Sequence, residues 1–388
     1  MMSKSTPTQK IRVAVLYGGR SSEHEISLRS AASVIRNLDR TRFDVVPIGI
    51  DHKGQWYLGD WGEREVSQTQ ELCVLAFPEN AVVLKPGVSS GPAQLMPLQA
   101  TARAIQAQAF DVVFPVMHGT HCEDGAIQGL LELGEIPYVG PGVLSSAVGM
   151  DKDFSKRLVQ ASGIAVVPSV TLKKSQWISD REGCLRKVLS TLRTPMFVKP
   201  ASLGSSVGVH KVKTDADLRS ALEDAFQYDL KVLVERAINA REIEFAVLES
   251  QNVGELPIVS VPGEIIPKHE FYSYEAKYLD ENGAALELPA RLPTELVQKG
   301  QEIARTVFQV LECEGMSRVD LFLDRDSGEL FFNEINTIPG FTSISMYPKM
   351  MEASGVSYSE LLTRLIELAL KRGERKMQLK REWSALKQ

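Results

Sequence analysis

The stretch SRVDLFLDRDSGELFFNEIN, residues 317–336, decides how this chain folds. Two apolar runs flank Asp326-Ser327-Gly328, and runs joined by such a turn form a β-hairpin. A turn centred on Ser327 sets Asp320 opposite Glu334 and Arg318 opposite Asn336. Side chains alternate along a strand, so one face carries two carboxylates, an amide and a guanidinium. Two opposed acids repel unless positive charge lies between them, and oxygen donors of this kind suit Mg2+ better than zinc. Magnesium keeps waters or substrate oxygens, so Asp320, Glu334 and Asn336 suffice as ligands where a nucleotide triphosphate supplies the rest. The other reading is a surface ion-pair face on an edge hairpin, and a register slip of one residue would destroy the shared face. Beyond the second strand, NTIPGFTSISMYP (336–348) bends at Pro339-Gly340 into a hydroxyl-rich loop.

The rest of the chain limits what this hairpin can serve. With 388 residues, 44% of them hydrophobic and 24% charged, two or three domains with their own cores are expected. A formal charge of -5 argues against a broad nucleic-acid surface, so a polyanionic ligand must be met by local lysines. Cys73, Cys122, Cys184 and Cys313 are far apart with no CxxC spacing, which disfavours a disulfide framework or a zinc knuckle and fits a reducing cytoplasm. The apolar run at 11–17 is too short for a signal peptide or a membrane span, so a soluble intracellular protein is expected.

Residues 11–17 read as a buried strand, broken by Gly18-Gly19 before a helix of about a dozen residues from Glu25. Strands follow at 43–50 and 111–117. The latter leads through His118-Gly119 and Glu123-Asp124 to a helix at 126–133 and a short strand at 137–139. This alternation predicts an open parallel α/β unit, with 51–110 as hairpin and loop. One helix is expected from Gly142 to Ser162, carrying Lys152. MFVKP (196–200), ASLGSSVG and VHKV then suggest an antiparallel hairpin with a glycine-rich tip, and Thr214 to Asp217 a capping box. VLVER (232–236) and EIEFAVL (242–248) lead into a third region that ends in a helix at 358–370. The tail from Lys371 has seven Lys or Arg against two Glu and reads as a solvated helix or a disordered end. The expected units are 1–141, 142–236 and 237–372, followed by a basic tail, 373–388.

Three further stretches carry possible chemistry. LGSSVG (203–208), preceded by Lys199, can bring backbone N–H groups close to phosphate oxygens, or can be a plain hairpin turn. It is not a P-loop, since no Gly-Lys-Ser/Thr closes it. Its GSSVG also fits the nucleophile elbow of serine hydrolases, but a strand follows where a helix is required, and the only later histidines are His210 and His269. The Tyr-rich segment 261–283, with Lys277 and Tyr278, reads as a lid or an ordinary surface loop. Glu23 stands at a strand-to-helix crossing, where open α/β sheets bind ligands, or simply favours the helix start.

Together these stretches resemble the D-alanine–D-alanine ligases of the ATP-grasp superfamily. GGRSSEHEISLRSA (18–31), HGTHCEDG, YVGPGVLSSAVGMDK, FVKPASLGSSVG, FYSYEAKY, RVD and NEINTIPGFTSISMYP occur in the family's order over nearly the whole chain. The resemblance implies an α/β and α+β protein: an N-terminal open parallel α/β domain, then a two-part ATP-grasp fold with ATP between its parts. It implies that Lys152, Lys199, Lys277 and Ser206 hold phosphates, and that Glu235 and Glu242 face adenine and ribose. Asp320, Glu334 and Asn336 would bind two Mg2+ ions, for which Mn2+ can substitute. Glu23, Ser205 and Tyr278 would position the first D-alanine and close the lid, with His118 also on the substrate. Arg318 and the Gly340 N–H would face the tetrahedral intermediate, and Ser345 and Met346 the second amino acid. A cytoplasmic homodimer, with neither nucleic acid nor membrane as partner, is implied.

Two positions depart from the family pattern. Cys122 stands where relatives usually have glycine, and Ala201 replaces a common serine, which puts the local backbone near Glu123 in question. The competing functions are a ligase using D-lactate, against which Tyr278 speaks, another ATP-grasp carboxylate-amine ligase, and a non-catalytic nucleotide-binding regulator.

Overall fold

The computed structural model describes residues 10–59, 71–85, 93–98, 108–267 and 284–380. The expected lid with Lys277 and Tyr278 lies outside the described residues, as do His269 and residues 381–388 of the tail.

The first sheet contains β1 (Ile11–Gly18), β2 (Phe43–Ile50), β3 (Trp56–Leu58), β4 (Ala81–Leu84), β5 (Ala93–Pro97), β6 (Gln108–Phe110) and β7 (Val112–Pro115), in the order β6-β5-β4-β3-β2-β1-β7. Strand β1 is buried on both faces, which explains its unbroken apolar run: Val13, Val15 and Tyr17 enter one core, Ala14 and Leu16 another. It pairs in parallel with β2 and β7, as expected, and α1 (His24–Asn37) supplies the β1-to-β2 crossover that parallel pairing needs. The remaining pairs, from β2–β3 to β5–β6, are antiparallel, so the hairpin region widens the parallel unit into a mixed sheet. The segment expected as a strand at 137–139 makes a single bridge, Val113 to Tyr138. Helix α2 (Ala126–Leu133) covers the second face with Ile127 and Leu131.

The single helix expected over 142–162 is two, α3 (Val143–Met150) and α4 (Lys152–Ala161). Asp151 separates them in an extended conformation, with its side chain accepting from the N–H groups of Asp153 and Phe154. That N-cap satisfies amides which a continuous helix would have paired internally, and it makes Lys152 the first residue of α4.

The second sheet, entirely antiparallel, contains β8 (Ser169–Lys173), β9 (Met196–Pro200), β10 (His210–Val212) and β11 (Lys231–Arg236), in the order β10-β9-β11-β8. Helices α5 (Lys174–Ser179), α6 (Arg181–Thr191) and α7 (Leu218–Tyr228) bury Trp177, Val188, Leu222 and Phe226 against it. The capping box forms, with the Thr214 N–H and hydroxyl both donating to Asp217 Oδ2 at the turn before α7.

The third sheet contains β12 (Ala240–Leu248), β13 (Ile258–Val259), β14 (Gly263–Pro267), β15 (Ala284–Glu287), β16 (Met316–Asp324) and β17 (Leu330–Asn336). Its order is β15-β14-β12-β16-β17, with β13 also on β12. Helix α8 (Thr294–Val310) and α4 pack on one face, joining Val159, Ala304 and Val307 to Phe245, Val319 and Phe332. Helices α9 (Met346–Ala353) and α10 (Tyr358–Met377) complete the core that begins at β1. Helix α10 runs past the expected end at residue 370, because Arg372 is buried rather than solvated and donates to the Tyr138 and Gly140 carbonyls, 2.6 Å each. Among the described residues no helix is long and apolar enough to cross a membrane.

Candidate active site

The β16–β17 hairpin pairs Asp320 with Glu334 and Arg318 with Asn336, the register read from the sequence. The turn itself lies between Asp326 and Ser327, since Leu323 faces Leu330 and Leu321 faces Phe332. A register shift next to Asp320 makes Asn333 the extra residue of a β-bulge. Leu330 and Phe332 belong to the core, so strict alternation would bury Glu334 with them. The bulge reverses the alternation, turning Glu334 to the cavity and Ile335 into the core.

The acids on this face are met by cations of the chain. The Arg318 guanidinium donates from Nε and Nη2 to both oxygens of Asp320, 2.7 Å each, and lies 3.3 Å from Glu244 Oε1. Asn336 Nδ2 donates to Asp320 Oδ2 at 2.9 Å, and Lys152 Nζ is 3.0 Å from Glu334 Oε2. Burial works against the Arg318 charge, but Asp320 and Glu244 outweigh it and hold its pKa well above the ordinary value. Asp320, Glu334 and Asn336 thus bring oxygen donors to one face, a set that fits a hard divalent cation.

On the wall of the same cavity, Lys199 on β9 donates to Glu235 Oε2 at 2.6 Å, and its ammonium is 5.6 Å from the centre of the Phe322 ring on β16. Glu235 Oε1 accepts from Lys156 Nζ, also at 2.6 Å. Burial pushes the Glu235 carboxyl up, yet the two lysines outweigh burial and hold it down at about 2. Burial pulls Lys156 down, while for Lys199 the pull of burial is outweighed by Glu235, which raises it.

The tip 203–208 meets the first sheet. Lys152 Nζ donates to the Leu203 carbonyl at 2.7 Å, and the Ser205 hydroxyl donates to Glu23 Oε1. Ser205 and Ser206 have φ of 52° and 59°, a left-handed strain that clusters at functional sites. A Cβ on Gly119 would lie 2.6 Å from Glu23 Oε2 and push that carboxylate aside, and the residue's φ of 77° is itself a left-handed conformation that favours glycine. In the HGTHCEDG turn the left-handed positions are Gly119, His121 and Gly125, so Cys122 occupies backbone open to any side chain. Ala201 is buried, and its N–H and C=O pair with Lys231 and Lys152.

His118 is buried, 3.6 Å from Glu123 Oε1, 3.2 Å from the Ile338 carbonyl and 3.1 Å from Ser30 Oγ. Burial alone would lower the imidazole, but Glu123 and Glu23 raise it, while burial raises the Glu123 carboxyl. Ser345 precedes α9, and its hydroxyl accepts from the Thr342 N–H at 2.9 Å. A Cβ on Gly340 would come within 2.8 Å of Ser345 Oγ, so the bend and the serine are in close approach.

One cavity of about 1410 Å3 gathers Lys152, Lys199, Ser205, Ser206, Glu235, Glu242, Arg318, Asp320, Glu334, Gly340, Ser345 and Met346 on its wall. Pockets for a single small ligand run to about 1,000 Å3, so this space suits more than one substrate. Of the other expected residues, Glu23 and Asn336 stand behind the wall, bonded to Ser205 and Asp320, and His118 is buried beneath Ile338. Sequence reasoning missed Lys156 and Glu244. Both carried a signal: Lys156 is one helical turn after Lys152, and Glu244 shares a strand face with Glu242.

Comparison with known proteins agrees with this architecture. Residues 12–141 match the family described as D-ala D-ala ligase N-terminus, and 158–367 the one described as D-ala D-ala ligase C-terminus. The chain is 53% identical to D-alanine–D-alanine ligase A of Bradyrhizobium diazoefficiens, over 97% of this chain and 99% of that one. The solved D-alanine-D-alanine ligase of Coxiella burnetii superposes with a TM-score of 0.79 at 39% identity, covering 95% of this chain and 96% of that one. The VanG D-Ala:D-Ser ligase of Enterococcus faecalis also gives 0.79, at 38% identity, over 93% of this chain and 100% of that one. With both halves matched and the β16–β17 hairpin in the register read from the sequence, the chain belongs to the D-alanine–D-alanine ligase family, of the ATP-grasp superfamily.

Proposed function

We propose that this protein joins two D-alanines into D-alanyl-D-alanine for peptidoglycan precursor synthesis, converting ATP to ADP and phosphate. The observation that carries this reading is the single face bearing Arg318, Asp320, Glu334 and Asn336, with Lys199 on the wall of the same cavity. The first D-alanine carboxylate attacks the γ-phosphorus of ATP, ADP leaves, and a D-alanyl phosphate forms. The amine of the second D-alanine attacks the acyl carbon, phosphate leaves, and the amine loses its proton.

The side chains divide this work. Lys152, Lys199, Ser206 and Lys277 hold phosphate oxygens. Glu242 stands toward the base and ribose, with Glu235 beside it. Asp320, Glu334 and Asn336 would hold two Mg2+ ions, or Mn2+, whose charge offsets that of the phosphoryl oxygens. Glu23, Ser205 and Tyr278 position the first substrate, with His118 behind it, and close water out, since acyl phosphates hydrolyse. Arg318 and the Gly340 N–H donate to the oxyanion of the tetrahedral intermediate. Ser345 and Met346 receive the second D-alanine. The enzyme works in the cytoplasm as a homodimer, with units at 1–141, 142–236 and 237–372.

Phosphate release from ATP, with D-alanine, L-alanine, D-lactate and D-serine supplied in parallel and D-alanine as the common first substrate, tests this. Release should be fastest with D-alanine alone and unaffected by L-alanine. Faster release that requires D-lactate or D-serine would overturn the assignment of the second substrate, and release driven by L-alanine the whole reading.

A further inference from the structure

Lys156 has no place in the chemistry above, and its burial asks for a reason. It sits one turn after Lys152 on α4, but where Lys152 reaches the cavity, Lys156 is 3% exposed and forms no part of its wall. Its ammonium has two acceptors, Glu235 Oε1 at 2.6 Å and the Phe332 carbonyl at 3.3 Å. A methionine would fill such a site without the cost of taking a charge out of water, so packing alone does not account for a lysine.

We propose that Lys156 is a positioning residue of the nucleotide site, acting through Glu235 to keep the charge of Lys199 available to the triphosphate. This rests on the reading of the cavity as an ATP site. Glu235 gives one oxygen to each lysine, so its carboxylate is fixed at both ends. The cluster of Lys156, Glu235 and Lys199 has a net charge of +1. Without Lys156 the remaining pair is neutral, and Glu235 is free to swing both oxygens onto Lys199. A largely buried lysine closed onto its own carboxylate attracts a phosphate far less than one whose counter-charge is shared.

The test compares Lys156→Met, Lys156→Arg, Glu235→Gln and the Lys156→Met/Glu235→Gln double variant of the full chain. ADP binding is read by calorimetry without D-alanine, and KM for each substrate by steady-state kinetics. ADP affinity and KM for ATP should worsen about tenfold in Lys156→Met, the usual scale for loss of a charge-assisted hydrogen bond. KM for D-alanine should stay within about twofold, and Lys156→Arg should recover most of the loss. Against a Glu235→Gln background the lysine substitution should have little further effect, because the group it acts through is already gone. Equal rises in both KM values, or full additivity in the double variant, would overturn the proposal. Should Lys156→Met fail to fold, the same cycle is run with Lys156→Gln, which keeps a donor without its charge. A wild-type protein that binds no ADP would refute the ATP site itself, whereas equal binding by wild type and variant refutes only the role of Lys156.

Discussion

Glu334 faces Asp320 across the hairpin and lies 3.0 Å from the Lys152 ammonium. Glu334→Gln preserves its shape and removes its charge, so turnover should fall by on the order of a thousandfold or more while the fold persists. ADP release at saturating substrates together with a circular-dichroism melt would check this, and full activity would refute the metal assignment. A pH effect belongs to Glu235, held at about 2 in the folded protein against an ordinary 4.5, because the two lysines overcome the upward push of burial. With the folded value the lower one, the stabilisation is complete above pH 4.5 and is lost as the pH falls from there toward 2. It amounts to on the order of 3 kcal/mol. Urea midpoints from pH 6 to pH 3 should fall more steeply for the wild type than for Glu235→Gln.

Helix α3 approaches β17 through Gly149, where a Cβ would lie 2.9 Å from Thr337 Cγ2 and 3.2 Å from Ile335 Cγ2. Gly149→Val should cost about 1–3 kcal/mol as the helix is pushed off the strand that carries Glu334 and Asn336. Gly129 in α2 has nothing within 4 Å of an added Cβ, so Gly129→Ala should instead stabilise by about 0.5–1 kcal/mol. Urea unfolding of the two variants would show opposite signs, and a loss in both would contradict the packing described. Helix α2 and strand β9 were legible to the residue, since each is a short apolar pattern between clear breakers. The break at Asp151 was not, because an aspartate inside an apolar-periodic segment reads equally as a surface residue or as a cap.

Arg372 ties α10 to the segment at 138–140 that follows α2. Its guanidinium bonds the Tyr138 and Gly140 carbonyls, lies 3.2 Å from Glu314 and stacks 4.3 Å from the Tyr138 ring centre. Arg372→Met leaves two buried carbonyls without their donor, and should cost about 3 kcal/mol in urea unfolding. Activity per folded molecule should be retained, because the contact is remote from the cavity; a fall in kcat without a fall in stability would contradict this. From the sequence Arg372 was one of several basic residues in a tail, and nothing local separated it from its solvated neighbours.

The sequence by itself determined the elements and the chemistry they could carry: a strand buried on both faces at 11–17, a hairpin opposing two acids, and a lysine before a glycine-rich tip. Apolar period and turn residues are local properties, and they survive in any tertiary setting. Only the tertiary structure decided that Asn333 bulges and turns Glu334 to the cavity, that Glu235 joins Lys156 to Lys199, and that Glu23 closes on Ser205. Those contacts join residues far apart in the chain, and each depends on how charge is shared between groups brought together on the wall of one cavity or just behind it. That sharing is set by the packing of three sheets, which no window of sequence contains.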